Sequence, residues 1–361
     1  MPSPAAARPP LPRGGEIPLP SGGVPPKEAG GCELSHGAAR VCFLSSWVAI
    51  VCATFAGTSL AQGYPTKPIR LIVPFPAGGG SDIVGRIVAT RLTEQVKQQV
   101  IVDNRGGAGG SIGTEAAVRA APDGYTMVLA STSEIAVNPA LYTRLSYDTL
   151  RDLAPLALVA NTPVVLAVHP SLPVKNVKEL VALAKARPGE INMASAGNGT
   201  FTHLSGEFFK SVTGAALTHV PYKSAPIALA DLAAGQVQIM FSSLPAAMGI
   251  IGAGKVRPVA VSTSHRAENL PQVPTVMESG VPAYDVVYWY GTFAPAATPK
   301  DIAGQLANEI ARALRAPEVV AALARQGATP GALSQAQFAD FVRTEHGRWG
   351  KVARATGIKL D

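Results

Sequence analysis

The sequence predicts an α/β fold of two lobes, in which each lobe is a mostly parallel sheet flanked by helices. Three observations favour this fold class. Short apolar runs alternate with helical patterns along the chain, as in successive β-α-β units. The length of 361 residues is enough for two domains with a sizeable core. Hydrophobic residues make up 47% of the chain and charged residues only 15%, so most of the chain is expected to fold.

The first predicted strand and helix are joined by a glycine-rich turn. The strand is "IRLIV" (Ile69–Val73), and the helix "IVGRIVATRL" (Ile83–Leu92) carries its apolar residues on one face. Two more strands are predicted at "VIVDN" (Val100–Asn104) and "YTMVLAS" (Tyr125–Ser131), the latter after a Pro-Asp-Gly turn sequence. These three strands alternate with helical segments, as a parallel sheet requires.

The same alternation continues through the rest of the chain. Strands are predicted at "PVVLAVHP", "INMASAG", "LTHVPY", "VQIMFSSLP" and "VRPVAVST", and helices at "NVKELVALAKA", "FTHLSGEFFKSV" and "APIALADLAAG". An aromatic segment, "VYWYGTFAPA", precedes two long helices at about Pro299–Ala316 and Ser334–Thr356.

The predicted lobes are not continuous in sequence. Crossings between them are predicted at Pro163 and around Val281–Tyr284, with the C-terminal helices returning to the first lobe. Lobe 1 then comprises residues 62–161 and 285–361, and lobe 2 comprises residues 162–284.

The N-terminus predicts export. Residues 1–40 are rich in Pro and Gly and lack an apolar period, which is typical of a disordered leader; a translation start further along the chain would account for it. Residues 41–61 resemble a signal peptide, with an apolar run and small residues before a cleavage site near Ala61. The alternative, a transmembrane helix, needs about 20 apolar residues, and this run is shorter. We therefore predict a periplasmic protein.

Cysteine usage and charge agree with this prediction. Cys32, Cys42 and Cys52 all precede the predicted cleavage site, so the exported chain would contain no cysteine and would depend on core burial for stability. The net charge of +7 is mildly basic and suits an anionic small molecule or an acidic partner. The basic residues are scattered without interleaved aromatic residues, so no nucleic-acid partner is expected.

The glycine-rich turn "PFPAGGGSD" (Pro74–Asp82) is the first candidate site. A phosphate loop requires Lys after the last glycine, but Ser81 follows Gly80. A dinucleotide fingerprint requires Gly at position 83, which is Ile83, so neither motif is present. A helix N-terminus has free backbone N–H groups and a partial positive charge, so it can bind an anion without a basic side chain. The alternative is that Ser81 or Asp82 only caps the helix.

A second stretch, "ASAGNGTFTHLSGEFF" (Ala194–Phe209), repeats this pattern in the other predicted lobe. Two such helix N-termini that face each other would hold a carboxylate from both sides. Hydroxyl residues end two further strands, at Ser131–Ser133 and Ser242–Ser243, and would contact the rest of the ligand. For any single one of these serines, a role in a strand-end turn is the simpler explanation.

A serine hydrolase is an alternative from another functional class. "GGSIG" (Gly109–Gly113) matches the G-x-S-x-G pattern, with Ser111 as the nucleophile. Its partners would come from Asp148 or Asp231 and from His203, His219 or His265. The HGGG oxyanion motif is absent, however, and no spacing ties any of these residues to Ser111.

No metal site or cofactor is predicted. The six histidines are dispersed, and neither H-E-x-x-H nor a short His/Cys/Asp cluster occurs.

From about Tyr64 to its end, the chain resembles the Bug-type substrate-binding proteins of tripartite tricarboxylate transporters. The resemblance rests on several stretches that follow one another in the same order as in that family. They include "YPTKPIRLIVPFPAGGGSDIVGRIVATRL", "VIVDNRGGAGGSIGTEAAVRAAPDGYTMVLAS", "VPYKSAPIALADLAAGQVQIMF" and "LPQVPTVMESGVP". It implies a two-lobed periplasmic binding protein, not an enzyme, that holds a small carboxylate largely through backbone groups and bound water. The N-terminal leader departs from the family pattern.

The resemblance also implies binding residues and partners. The predicted ligand contacts are Phe75, Ala77, Gly78, Gly79, Gly80, Asp82, Thr132, Ser133, Ser195, Gly197, Asn198, Gly199, Thr200, His203 and Ser242. The implied partners are the membrane subunits of a tripartite tricarboxylate transporter, and the binding protein itself is expected to be a monomer. A periplasmic sensor that presents its ligand to a signalling receptor remains an alternative.

Overall fold

The structure is a computed structural model that describes residues 63–356, 358 and 360. The predicted leader and signal peptide, with Cys32, Cys42 and Cys52, lie outside the described residues. Ten strands are present in the described part of the chain: β1 (Ile69–Val73), β2 (Val100–Asn104), β3 (Thr126–Ser131), β4 (Leu153–Val168), β5 (Ile191–Ser195), β6 (Leu217–Pro221), β7 (Ile239–Ser243), β8 (Arg257–Val261), β9 (Val287–Pro295) and β10 (Thr329–Pro330).

Helices connect most of these strands. They are α1 (Gly80–Val96), α2 (Ser111–Val118), α3 (Asn138–Leu141), α4 (Thr149–Asp152), α5 (Val177–Ala186), α6 (Phe201–Thr213), α7 (Ala225–Ala233), α8 (Leu244–Gly252), α9 (Lys300–Leu314), α10 (Pro317–Arg325) and α11 (Gln335–Thr356). A 3₁₀ turn at Ala108–Gly110 precedes α2, and a π-helical turn at Ser133–Val137 precedes α3. Among the described residues, none of the helices combines the length and the hydropathy that a membrane span requires.

The strands form one large mixed sheet in the order β2-β1-β3-β9-β4-β7-β5-β6, with β8 and β10 paired to β4. Parallel pairs occupy both ends, because β1 pairs with β2 and β3, and β5 pairs with β6 and β7. This arrangement confirms the predicted fold class. The two antiparallel strands at the centre, β4 and β9, are a feature that the alternating pattern does not predict.

Strand β4 belongs to both halves of the sheet. Its first part, Leu153–Pro163, pairs with β9, and its last part, Val164–Val168, pairs with β7 and β8. The pairing partner therefore changes directly after Pro163, where the sequence predicts a crossing. The proposed lobe limits at 161/162 and 284/285 remain predictions.

Helix starts differ in how their free N–H groups are satisfied. Helix α5 is capped by Asn176, which accepts from the backbone N–H of Glu179 at 2.9 Å, and the Glu179 side chain accepts from the N–H of Lys175 at 2.6 Å. Helix α1 begins after Gly79, which has no side chain to serve as a cap. Its first-turn N–H groups are therefore left for another partner.

Candidate ligand-binding site

A cavity lies where the turns after β1, β3, β5 and β6 converge with the end of β7 and one face of β9. The carboxyl ends of parallel strands are the usual place for a ligand in α/β sheets. The cavity is narrow in this conformation, with about 40 Å³ of space for the centres of water-sized molecules. Its lining contains no charged side chain and consists of Phe75, Pro76, Gly79, Gly80, Ser81, Ser133, Ala196, Thr200, Phe201, Thr202, Ser224, Ala225, Pro226, Ser243, Tyr288 and Tyr290.

The N-terminus of α1 points into this cavity. Within the described part of the chain, the backbone N–H groups of Gly80 and Ser81 have no hydrogen-bond acceptor. A side chain at Gly80 would overlap with the hydroxyl groups of Tyr290 and Ser243. Glycine at this position therefore lets the hydroxyl groups and the free N–H groups face the same small space.

Tyr290 supplies an unusual polar group to this space. Its side chain is 0% exposed, and its hydroxyl group has no hydrogen-bond partner among the described residues. Burial, followed by the nearby Tyr288, raises the pKa of Tyr290 well above its usual value, although the neighbouring Ser243 hydroxyl acts in the opposite direction, so the phenol is neutral. A buried hydroxyl without a partner is costly, and a ligand that bonds to it would remove that cost.

Two serines at helix starts also line the cavity. Ser224 precedes α7 and Ser243 precedes α8, each is followed by Pro two residues later, and neither side chain caps its own helix. The N-termini of α7 and α8 thus add partial positive charge to the cavity wall without any Lys or Arg. Four helix N-termini converge here, those of α1, α6, α7 and α8.

The N-terminus of α6 differs from that of α1, because most of its donors are already bonded. The backbone N–H of Phe201 donates to Ser133 Oγ at 3.0 Å, and that of Gly199 donates to His203 Nδ1 at 3.3 Å. Thr200 caps the helix, and Thr202 accepts from the N–H of Ala196 at 2.9 Å. The two turns are therefore not the equivalent pair of amide clusters that the sequence suggests.

Asp82 holds the first turn together. Its carboxylate accepts from the N–H of Gly78 at 2.9 Å and from Arg86 Nε at 3.0 Å. Burial alone would raise its pKa, but the hydrogen bonds from Arg86, Gly78 and Asn104 and the charge of Arg86 outweigh burial, so the pKa is lowered. The charge that would repel an anionic ligand is thus paired with Arg86.

His203 lies behind the second turn, stacked on His219. The ring centroids are 3.8 Å apart with an interplanar angle of 12°. His219 Nε2 is 2.7 Å from Ser195 Oγ, which in turn contacts the backbone of Gly197. Burial lowers the pKa of both histidines to about 4, so two neutral rings support the turn from outside the cavity.

The predicted contact residues divide into two groups. Phe75, Gly79, Gly80, Ser133 and Thr200 line the cavity. The remaining ten are not among the lining residues: Ala77, Gly78, Asp82, Thr132, Ser195, Gly197, Asn198, Gly199, His203 and Ser242. Thr132, for example, accepts from the backbone N–H of Trp289 at 3.0 Å. Whether any of the fifteen contacts a ligand remains a prediction.

Sequence reasoning named Ser243 among the strand-end hydroxyl residues and "VYWYGTF" (Val287–Phe293) as a candidate cleft lining, but it overlooked Ser224. Tyr288 and Tyr290 belong to an aromatic strand, a pattern that usually indicates core. Ser224 carried a usable signal, since it begins a Ser-x-Pro sequence before a helix, as Ser243 also does.

Ser111, the nucleophile of the hydrolase alternative, is not among the lining residues. Its hydroxyl donates to the carbonyl of Ala108 at 2.8 Å. His203 and His219 stack on each other, and Asp148 caps α4. Among the described residues, no group of three or more His, Cys, Asp or Glu could hold a metal ion.

Comparisons with known proteins identify related sequences and structures. The sequence model of the family described as "Tripartite tricarboxylate transporter family receptor" matches residues 84–358. Protein BugT of Bordetella pertussis is 40% identical over 314 residues, which cover 87% of this chain and 96% of BugT. An R. palustris protein solved with adipate is 37% identical with a TM-score of 0.80, covering 82% of this chain and 99% of that one. MatC from Rhodopseudomonas palustris, with bound malate, is 30% identical with a TM-score of 0.77, covering 80% of this chain and 100% of MatC.

Proposed function

The chain belongs to the family of tripartite tricarboxylate transporter receptors, and from this premise we propose that it captures a small carboxylate in the cavity between the two halves of its sheet. Membership confirms the predicted family resemblance. Adipate and malate, held by two related structures, are both small carboxylates and indicate the ligand class to test first.

One observation carries the proposal. The uncapped start of α1 and the partnerless hydroxyl of Tyr290 meet at Gly80, in a cavity without charged side chains. A carboxylate accepts several hydrogen bonds at once, so it would satisfy both the N–H groups and the hydroxyl groups. The helix dipole favours an anion at the same place.

Contacts across the cavity suggest how binding would be linked to closure. The Phe201 N–H of one half donates to Ser133 of the other, and the Pro226 ring lies 3.8 Å from the position that a Cβ of Gly78 would occupy. A ligand that contacts both halves of the sheet can bond to all of its protein partners only when the two cavity walls are close together. It would therefore shift the population towards the closed form.

The proposal includes no bond-making chemistry. Ser111 Oγ donates to a backbone carbonyl and is not in the cavity lining, and the lining contains no Asp, Glu, His, Lys or Cys. We infer that the protein is not an enzyme, that it acts in the periplasm, and that it passes its ligand as a monomer to the membrane subunits of a transporter.

A ligand screen tests this function. The chain would be expressed with its native N-terminus in a Gram-negative host, purified from the periplasm, and examined by thermal shift against mono-, di- and tricarboxylates, amino acids and aromatic acids. At least one small carboxylate should raise the melting temperature, and calorimetry should then give a one-to-one complex. The mass of the purified protein reports whether the leader was removed near Ala61.

Ser111→Ala separates the binding function from the hydrolase alternative. The variant should show the same ligand-induced shift as the parent chain. A screen in which no carboxylate stabilises the protein, or a bound ester that the parent hydrolyses and the variant does not, would overturn the proposed function.

A further inference from the structure

Glu134 is a fully buried carboxyl group next to the cavity. It lies on the π-helical turn after β3, and its side chain is 0% exposed. One oxygen, Oε2, accepts from the N–H of Ser131 at 3.0 Å and from its hydroxyl at 2.5 Å. The other oxygen, Oε1, has no hydrogen-bond partner among the described residues and faces Gly110, where a Cβ would lie only 2.9 Å away. A buried carboxyl with one unsatisfied oxygen calls for an explanation.

Two hydroxyl groups connect this carboxyl to the cavity. Tyr288, a lining residue, donates from its hydroxyl to Ser131 Oγ at 2.7 Å, and Ser131 donates onward to Glu134. An ionised carboxylate can only accept hydrogen bonds, so it fixes this direction of donation. The proton of Tyr288 then points away from the cavity, and its lone pairs face the place where a carboxylate would bind.

Protonation of Glu134 reverses the direction of these hydrogen bonds. The carboxyl O–H then donates to Ser131 Oγ, Ser131 donates to the oxygen of Tyr288, and the O–H of Tyr288 is released to donate to the ligand. Accepting the proposed carboxylate-binding function, we propose that ligand binding is coupled to the uptake of one proton by Glu134. The protonation of Glu134 is transmitted to the ligand by the reversed hydrogen bonds of Ser131 and Tyr288. The proton comes from solvent, and no covalent bond to the ligand is formed.

The surroundings of Glu134 favour this coupling. Burial raises its pKa from 4.5 to about 7, although hydrogen bonds from Ser131 act in the opposite direction. No Lys or Arg in the described part of the chain forms an ion pair with it. A nearby carboxylate ligand would disfavour the ionised form further.

The tyrosines packed around Glu134 stay neutral near pH 7. Tyr147, whose hydroxyl donates to the Glu134 carbonyl at 2.8 Å, and Tyr288 and Tyr290 on β9 have pKa values raised by burial and are neutral. Tyr142, on the following turn, has a pKa raised by burial as well. On α11, which packs against the π-helical turn, Glu345 accepts from the indole N–H groups of Trp289 and Trp349.

Calorimetry in two buffers of different ionisation enthalpy tests the coupling between pH 6.5 and 8.5. The probe is whichever of adipate and malate binds more tightly, since ordinary carboxyl groups with pKa values of about 4 to 5 are ionised throughout this range. We expect uptake that approaches one proton per ligand at about pH 8, and a Kd that rises by up to about tenfold per pH unit above the pKa. Glu134→Gln should bind with no proton uptake and a Kd independent of pH.

The outcomes separate the two proposals. If no carboxylate binds any form of the protein, the carboxylate-binding function fails. If the parent chain binds without proton uptake, or if Glu134→Gln takes up as many protons as the parent, only the coupling is wrong. Tyr288→Phe tests the relay, since it keeps the carboxyl group but removes the cavity end of the chain. Its uptake should fall, and unchanged uptake with cooperative unfolding would overturn the relay.

Discussion

The two glycine-rich turns look alike in sequence but use their backbone N–H groups differently. At Gly79–Asp82 the start of α1 has no side-chain cap, and its donors face the unpartnered hydroxyl of Tyr290. At Ser195–His203 the donors are bonded to Thr200, Thr202, His203 and, across the cavity, Ser133. A glycine-rich helix start becomes an anion site only if its N–H groups are left free. The first turn is therefore suited to bind the ligand, and the second to give the cavity its shape.

The largest effect is expected from Gly80→Ala. The added methyl group would overlap with the hydroxyl groups of Tyr290 and Ser243 and would occupy the ligand position. Affinity for the best carboxylate should fall by roughly 100-fold or more, equivalent to about 3 kcal/mol, as measured by calorimetry. Gly249→Ala on α8 is the matched control, because nothing lies within 4 Å of its new methyl group. The control should keep its affinity and gain up to about 1 kcal/mol of stability.

Tyr290→Phe should separate binding from stability. Loss of a buried hydroxyl without a partner should leave the free energy of unfolding unchanged or raise it by about 1 kcal/mol, while affinity falls roughly tenfold or more. The control is Tyr284→Phe, another fully buried tyrosine, whose hydroxyl donates to the Ser205 carbonyl at 3.0 Å. The Tyr284→Phe variant should lose about 1 kcal/mol of stability and keep normal affinity for the ligand. A Tyr290→Phe protein with normal affinity would place the ligand elsewhere.

The histidine pair behind the second turn predicts an acid-dependent loss of stability. His203 and His219 have pKa values of about 4 in the folded protein against 6.5 when unperturbed, so the unfolded chain binds more protons between these values. The contribution of the two histidines to the free energy of unfolding is fully present above pH 6.5 and is lost as the pH falls from 6.5 towards 4. The effect of Glu134 on stability has the opposite pH dependence. Because its pKa is raised in the folded protein, its contribution to the free energy of unfolding falls as the pH rises from 4.5 through 7.

Comparison of His219→Gln with the parent isolates the pair. Urea unfolding at several pH values should show that the variant loses less stability than the parent between pH 6.5 and 4. Parallel pH profiles would contradict the assignment of two neutral histidines.

The smallest effect is expected from Thr200→Val, which removes the cap of α6 while keeping the shape of the side chain. Stability should fall by about 1 kcal/mol, as measured by denaturant unfolding. Affinity should change by less than about threefold, since the N–H groups near Thr200 are bonded within the protein. A loss as large as that of Gly80→Ala would mean that both turns bind the ligand in the same way.

Much of the fold follows from local patterns that can be read along the chain. The apolar runs at Ile69–Val73 and Val100–Asn104 are β1 and β2 at the predicted residues. The C-terminal helices predicted at 299–316 and 334–356 correspond to α9 and α11, with the unpredicted α10 between them. The antiparallel course of β4 and β9 could not be predicted, because strand direction depends on pairs that are far apart in sequence.

The α/β class, the family and the presence of two glycine-rich helix starts follow from local patterns, since these depend on apolar periodicity, glycine placement and short motifs. Which of the two helix starts keeps its backbone donors free depends on tertiary contacts. That difference depends on Ser133 reaching Phe201 from another strand, and on Tyr290 bringing a hydroxyl to Gly80 from a segment about 200 residues away. Hydrogen bonds are satisfied in space, so the use of each N–H group is set by neighbours that the linear pattern does not contain.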